Sequence, residues 1–300
     1  MYQWADKNNK SLNGQKFQHL HIGKDKKTPQ FLTNDNEPIT PRKHVRDLGV
    51  HMSTDLTFNH HIYNVIKKGT NLSHWILRTF RTRATFPMKI LLKTLLVPVL
   101  EYACLVWCPN SVGLTSLLES VQAKFVSRFE EFLEPDLELD MDVCRVNYWT
   151  QLKTLKLYSL ERRRERYMIL FLYKIMIKDY PNPGFILPPL DVADRNGIVV
   201  QPKINLRAPA WVATVRGASF FVKGPKLYNI IPLELRQPVF VNNPTPKLVN
   251  NFKSALDRYL ETVPDQPSVN GLARYRPALT NSILFQDQYK TPFAGSFLLD

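Results

Sequence analysis

The hydrophobic period of this chain changes near residue 58. Before that point apolar and polar positions alternate. KFQHLHIG (16–23) sets Phe17, His19 and His21 against Gln18, Leu20 and Ile22, and HVRDLGVHMS (44–53) spaces Val45, Leu48, Val50 and Met52 around an internal glycine. Alternation of this kind predicts two short strands. KDKKTPQFLTNDNEPITPRK between them is rich in Pro, Asn and charge and reads as loop, and YQWADKNN at the start reads as a short helix.

After residue 58 the period becomes helical. Ile62, Val65/Ile66, Gly69, Leu72, Ile76 and Phe80 form one face, while Asn64, Lys67/Lys68, Asn71, His74, Arg78 and Arg81 form the other. Pro87 suits the first turn of a second helix, which Pro98 should kink. Ser111 can cap a third, with Leu114, Leu117/Leu118, Val121, Phe125, Phe129 and Phe132 inward. Short connections make these three antiparallel helices a small bundle. An acidic run follows at 130–142, then a fourth helix marked by Tyr148, Leu152 and Leu155. A fifth over 159–178 is ended by YPNPG. VVQPKINL and SFFVKG read as short strands in a Pro-rich region. Thr245-Pro246 opens a last helix near 246–262 through Leu248, Phe252, Leu256 and Tyr259/Leu260. The fold class expected is mainly α.

Charge changes this picture. The 300 residues carry a net charge of +14, which favours an anionic partner, with nucleic acid ahead of a membrane surface. The charge is uneven: Arg42–Lys93 holds ten Lys/Arg against Asp47 and Asp55, Arg195–Lys226 holds six and no carboxylate, and Glu130–Asp142 holds seven carboxylates and no cation. Three cysteines point to a reducing, intracellular compartment, nuclear or cytoplasmic. Asp6, Lys7 and Lys10 interrupt any secretory signal. Lys93, Pro98 and Glu101 make the apolar stretch 90–107 a buried helix rather than a membrane span.

No catalytic constellation assembles from the sequence. Asp136, Glu138, Asp140 and Asp142 alternate like a strand face, but acidic runs between helices are solvated linkers and no calcium-loop glycine supports a metal. Cys104 and Cys108 are one helical turn apart without a further ligand pair and read as buried thiols. His60-His61 flanks a helix start without a nucleophile nearby, and no glycine loop cradles phosphate. No metal site and no cofactor is expected. The basic faces are more informative. Phe58–Thr85 contains no carboxylate, whereas a solvated helix face intersperses Glu with Lys, so Lys67, Lys68, Arg78, Arg81 and Arg83 point to polyanion contact. SLERRRERY (159–167) stacks four arginines at the electropositive end of a helix, where cations are disfavoured. Two readings stay open for Arg162, Arg163 and Arg166: pairing with the acidic run 130–142, or contact with phosphate. Arg164 lies in line with Leu160, Tyr167/Met168 and Phe171, so its stem can cover core instead.

KFQHLHIG, VRDLGVHMS, the helix ending WILRTFRTR, LLVPVLEYACLVWCP, LESVQAKFVSRF and NYWTQLKTLKLYSLERRRERY, in this order, resemble the downstream half of reverse transcriptases from non-LTR retrotransposons, the Jockey-like LINE group. KGPKLYNIIPLELR and FKSALDRYLETVPDQP fit the same family, so the resemblance covers nearly the whole chain. It implies that residues 1–56 are the end of a palm with a primer-grip hairpin, and that 57–134 form a thumb-like three-helix bundle. An acidic linker (135–143), a helical hairpin (144–184) and a C-terminal region (185–300) complete the chain. By resemblance Lys16 lies near the incoming nucleotide, and Arg46, Leu48 and Gly49 lie in the primer grip.

The family's polymerase chemistry depends on carboxylates, including a paired Asp-Asp turn, that hold two magnesium ions. No Asp-Asp dipeptide occurs in these 300 residues. The resemblance therefore implies a truncated, reverse-transcriptase-related protein, a transposable-element product without polymerase activity of its own. Its expected partner is duplex or hybrid nucleic acid, bound through backbone phosphates without sequence specificity. The alternatives are a helical protein-interaction scaffold, or the non-catalytic part of a polymerase completed by a palm domain in trans.

Overall fold

A computed structural model describes residues 2–22, 30–33, 35–109, 111–133, 147–185, 219–236, 246–265 and 281–285. It is mainly helical, with two small antiparallel hairpins. The chain divides into two compact units, residues 1–64 and 65–300.

In the first unit, helix α1 (Tyr2–Lys7) buries Ala5, and a short hairpin pairs β1 (Phe31–Leu32) with β2 (Pro38–Ile39). HVRDLGVHMS, whose alternation predicts one strand, folds back on itself. Strand β3 (His44–Asp47) pairs with β4 (Val50–Ser53) in the register His44↔Ser53 to Asp47↔Val50. Leu48 and Gly49 form the two-residue turn, with φ of 44° and 89°. Positive φ at both positions matches the right-handed twist of the strands and is easiest at glycine. KFQHLHIG does not form the strand its alternation predicts. Gly14–Lys16 is a 3₁₀ turn, and among the described residues of the segment only His19 makes a bridge, to Pro41, with the Arg42 N–H donating to the His19 carbonyl at 2.8 Å. Helix α2 (Asn59–Thr79) begins in this unit, after Asp55 accepts bonds from Ser53 Oγ and from the N–H and hydroxyl of Thr57.

In the second unit the predicted helices form. Gly69 of α2 lies so close to its neighbours that a Cβ there would stand 2.5 Å from Leu100 and 3.3 Å from Val121. These two belong to α4 (Val97–Glu101) and α5 (Val112–Val126), so glycine is what lets three helices meet. Helix α3 (Thr85–Leu91) continues through a π-helical stretch, Leu92–Leu96, into α4. Pro98 offers no N–H to the Thr94 carbonyl, and the widened turn is where the helix absorbs that deficit. Ser111 caps α5 by accepting the Leu114 N–H at 3.3 Å. Leu118, Val121, Phe125 and Phe129 are buried as expected, whereas Leu117 is 45% exposed because it sits at the edge of the buried stripe.

Helix α6 (Tyr148–Thr154) leads into α7 (Leu160–Met176), with Ser159 as its N-cap. SFFVKG, expected as a strand, opens helix α8 (Phe220–Ile230) instead. Phe220, Leu227 and Tyr228 recur at helical spacing and pack with Met168 and Leu172 of α7, so tertiary burial overrides the local β preference of Phe-Phe-Val. Helix α9 (Leu233–Arg236) and helix α10 (Pro246–Thr262) complete this core, where Tyr173 stacks on Phe252 at 3.7 Å. VVQPKINL and residues 134–142 of the acidic run lie outside the described residues.

Candidate functional site

The carboxylate-free face of α2 is a stripe. Lys67, Asn71, His74 and Arg78 follow one another at i, i+4, i+7 and i+11, with Lys68 beside them and Arg81 just beyond, and all six are exposed. Lys67, Lys68, Arg78 and Arg81 make no hydrogen bond or ion pair among the described residues. At 1.5 Å per residue the stripe runs about 16 Å, roughly five phosphate steps of one strand. Arg83 has another place. Its guanidinium donates to the carbonyls of Leu77, Phe80 and Thr82 at 2.9, 2.7 and 2.8 Å, closing the C-terminus of α2. A cation is favoured at that end of a helix, so Arg83 is a cap rather than a phosphate ligand.

The sites given by resemblance fall in the first unit. Lys16 ends the 3₁₀ turn and Arg46 projects from β3, both exposed, while Leu48 at the hairpin tip is 85% exposed and Gly49 completes the turn. His60 and His61 start α2 as expected. The His51 N–H donates to His61 Nδ1 at 3.2 Å, and the His60 ring lies 4.9 Å from that of His44 and 5.3 Å from that of His51.

Arg162 of α7 turns inward, which corrects its reading as a phosphate ligand, whereas Arg163 and Arg166 are half-buried and each engages a carboxylate. Arg162 is fully buried. It donates to the carbonyls of Val263, Pro264 and Asn281 at 3.2, 2.8 and 3.3 Å, and it lies 3.8 Å from Asp265. Arg163 forks onto Glu101 at 2.5 and 2.9 Å. Arg166 forks onto both oxygens of Asp257, the longer bond being 2.7 Å. Burial opposes the Arg163 charge, but its hydrogen bonds to Glu101 and the charge of that carboxylate outweigh burial and hold the pKa above its ordinary value. Arg164 is 1% exposed, its stem in the core. Among the described residues their carboxylate partners are thus Glu101, Asp257 and Asp265.

Two glutamates complete this network. Glu165 accepts from Ser282 Oγ, from the Ile283 N–H at 2.9 Å and from Lys223 at 3.1 Å. Burial lowers the tendency of Lys223 to stay charged, yet Glu165 and Glu161 raise its pKa overall. Glu119 of α5 accepts the Leu160 N–H at 3.0 and 3.1 Å and the Tyr148 hydroxyl at 2.6 Å, so a carboxylate covers the start of α7. Burial nevertheless pushes its pKa up to about 7.

A second basic set was not legible in the sequence. Lys93 of the π-helical turn, Lys156 after α6 and Lys253 of α10 converge with Arg163, Arg166 and Asp257 around one cleft of about 260 Å³. The three lysines come from elements up to 160 residues apart, and no local pattern links them. Among the described residues no group of three His, Cys, Asp or Glu could hold a metal ion, and no helix is long and apolar enough to cross a membrane. Burial pushes the Cys104 thiol up to about 12, leaving it a poor nucleophile near neutral pH. No protein-family model matches this chain, and neither a characterised protein nor a solved structure shows significant similarity to it.

Proposed function

We propose that this chain binds template–primer-like nucleic acid through backbone phosphates, without reading sequence, as a reverse-transcriptase-related protein that lacks polymerase activity of its own. The observation that carries the reading is the α2 stripe: Lys67, Lys68, Arg78 and Arg81 exposed, without partners among the described residues, on a helix with no carboxylate. Like charges gathered on one face repel one another, and a polyanion relieves that repulsion while releasing its own counterions. The resemblance to non-LTR reverse transcriptases supports the same partner, and implies a place for Lys16 near the incoming nucleotide and for Arg46, Leu48 and Gly49 in a primer grip. Magnesium belongs to the intact family enzyme and has no expected ligands in this chain.

The test is retention on unrelated duplexes as salt is varied. Changing Lys67, Lys68, Arg78 and Arg81 to alanine should weaken binding to each duplex by a similar factor, because phosphate contacts carry no base information. The log–log salt slope should become shallower by about 0.9 for each phosphate that is no longer neutralised. An unchanged slope in a folded variant would overturn the reading. A protein-docking scaffold is the second reading, favoured by Phe86, Ile90, Tyr102 and Val106, which are 76, 46, 57 and 55% exposed. Binding that ignores salt would favour it.

A further inference from the structure

We propose that the cleft bounded by the π-helical turn, the α6–α7 connection and α10 is a phosphate-binding site. It lies within the second unit and does not include the α2 stripe. Its lining carries five cations, Lys93, Lys156, Lys253, Arg163 and Arg166, and one carboxylate, Asp257. Asp257 pairs with Arg166, and Glu101 pairs with Arg163. Five cations less these two pairs leave three positive charges, all on lysines that are exposed and make no hydrogen bond or ion pair among the described residues.

The arginines are already oriented. Each fork uses Nε and one terminal nitrogen, and the other terminal nitrogen of each has no partner among the described residues. Arg163 is held further by donating to the Tyr167 hydroxyl at 2.9 Å, and the Tyr167 hydroxyl in turn donates to Glu101 at 3.2 Å. The Tyr158 hydroxyl donates to the Asp257 backbone carbonyl at 3.3 Å on the other wall. Fixed guanidinium donors beside mobile ammonium groups suit a tetrahedral oxyanion, which presents oxygens in several directions at once. A volume of about 260 Å³ holds roughly eight waters at their liquid volume, enough for a phosphate and the sugar that carries it. The phosphate can belong to a nucleic-acid strand or to a small phosphorylated molecule. The first source rests on the function proposed above, and the second does not.

The experiment is calorimetric titration of the full chain at low ionic strength with inorganic phosphate and with a short oligothymidylate. It compares the wild type, the triple variant Lys93→Gln/Lys156→Gln/Lys253→Gln and the α2 alanine variant. Phosphate should bind the wild type saturably, the triple variant at least about tenfold more weakly, and the α2 variant unchanged. The three single glutamine variants, each at an exposed side chain, should show partial weakening and keep the test valid if the triple variant unfolds. If the triple variant also binds oligothymidylate more weakly, with a salt slope shallower by about 0.7 for each phosphate no longer neutralised, the ligand is a strand phosphate. If only inorganic phosphate binding is weakened, it is a small phosphorylated molecule. No saturable phosphate binding by the wild type, or equal binding by every lysine variant, overturns the proposal. An α2 variant that binds duplex normally overturns the proposed function and leaves this site standing.

Discussion

Glu119 and Arg162 show how single side chains settle a charge problem at the start of α7. Arg162 is shut off from water, but three carbonyls and Asp265 surround its guanidinium, so removing it would leave several acceptors buried without donors. Glu119 answers the N–H of Leu160, which has no partner within its own helix, from a different helix. Burial raises the pKa of Glu119 from 4.5 to about 7, against the opposing pull of the Tyr148 hydroxyl and Arg164. Between those values the folded chain keeps a proton that the unfolded chain has released. The contribution of Glu119 to stability is therefore fully present below its unfolded pKa, declines as pH rises toward about 7, and is flat above. A shift of this size is worth about 3 kcal/mol. Glu119→Gln should abolish the decline: urea unfolding across this pH range should show the wild type losing stability relative to the variant as pH rises. A difference that stays constant would mean that the carboxyl is ionised throughout.

At the scale of elements, α2 carries two demands on opposite faces. Its inner face must bring Gly69 against Leu100 and Val121, and its outer face carries the exposed cations. Gly69→Val should be destabilising by about 1–3 kcal/mol, because the added carbons must displace Leu100 or push α2 away from α4 and α5. Thermal unfolding measures this directly, and a midpoint equal to wild type would show that the helices have room to spare. The same variant should bind nucleic acid with an unchanged salt slope below its midpoint, since the outer face is not altered.

At the scale of the molecule, α7 joins distant parts of the second unit through charge. Its side chains pair with Glu101 of α4, Lys223 of α8, Asp257 of α10 and Asp265 beyond it, while its N-terminus meets Glu119 of α5. The function proposed above implies no polymerase chemistry. Purified chain supplied with template, primer, nucleotides and magnesium or manganese should incorporate nothing, because the carboxylates that hold two metal ions in such enzymes have no counterpart among its motifs. Template-dependent incorporation would contradict this directly.

The sequence by itself determined what depends on near neighbours. The inner and outer faces of α2 follow from the 3.6-residue period, Ser111 and Ser159 cap the helices they precede, and Pro98 disturbs its helix, all through interactions within four residues. Tertiary structure decided the rest. SFFVKG became helix because α7 offered an apolar face, and KFQHLHIG found a single bridge, from His19 to Pro41, among its described residues. The fate of the α7 arginines was set by carboxylates 62 to 103 residues away, a separation over which chain entropy and packing, not local preference, choose the partner. The convergence of Lys93, Lys156 and Lys253 has the same origin: three ordinary surface lysines in sequence become one basic cleft only after the helices that carry them have packed.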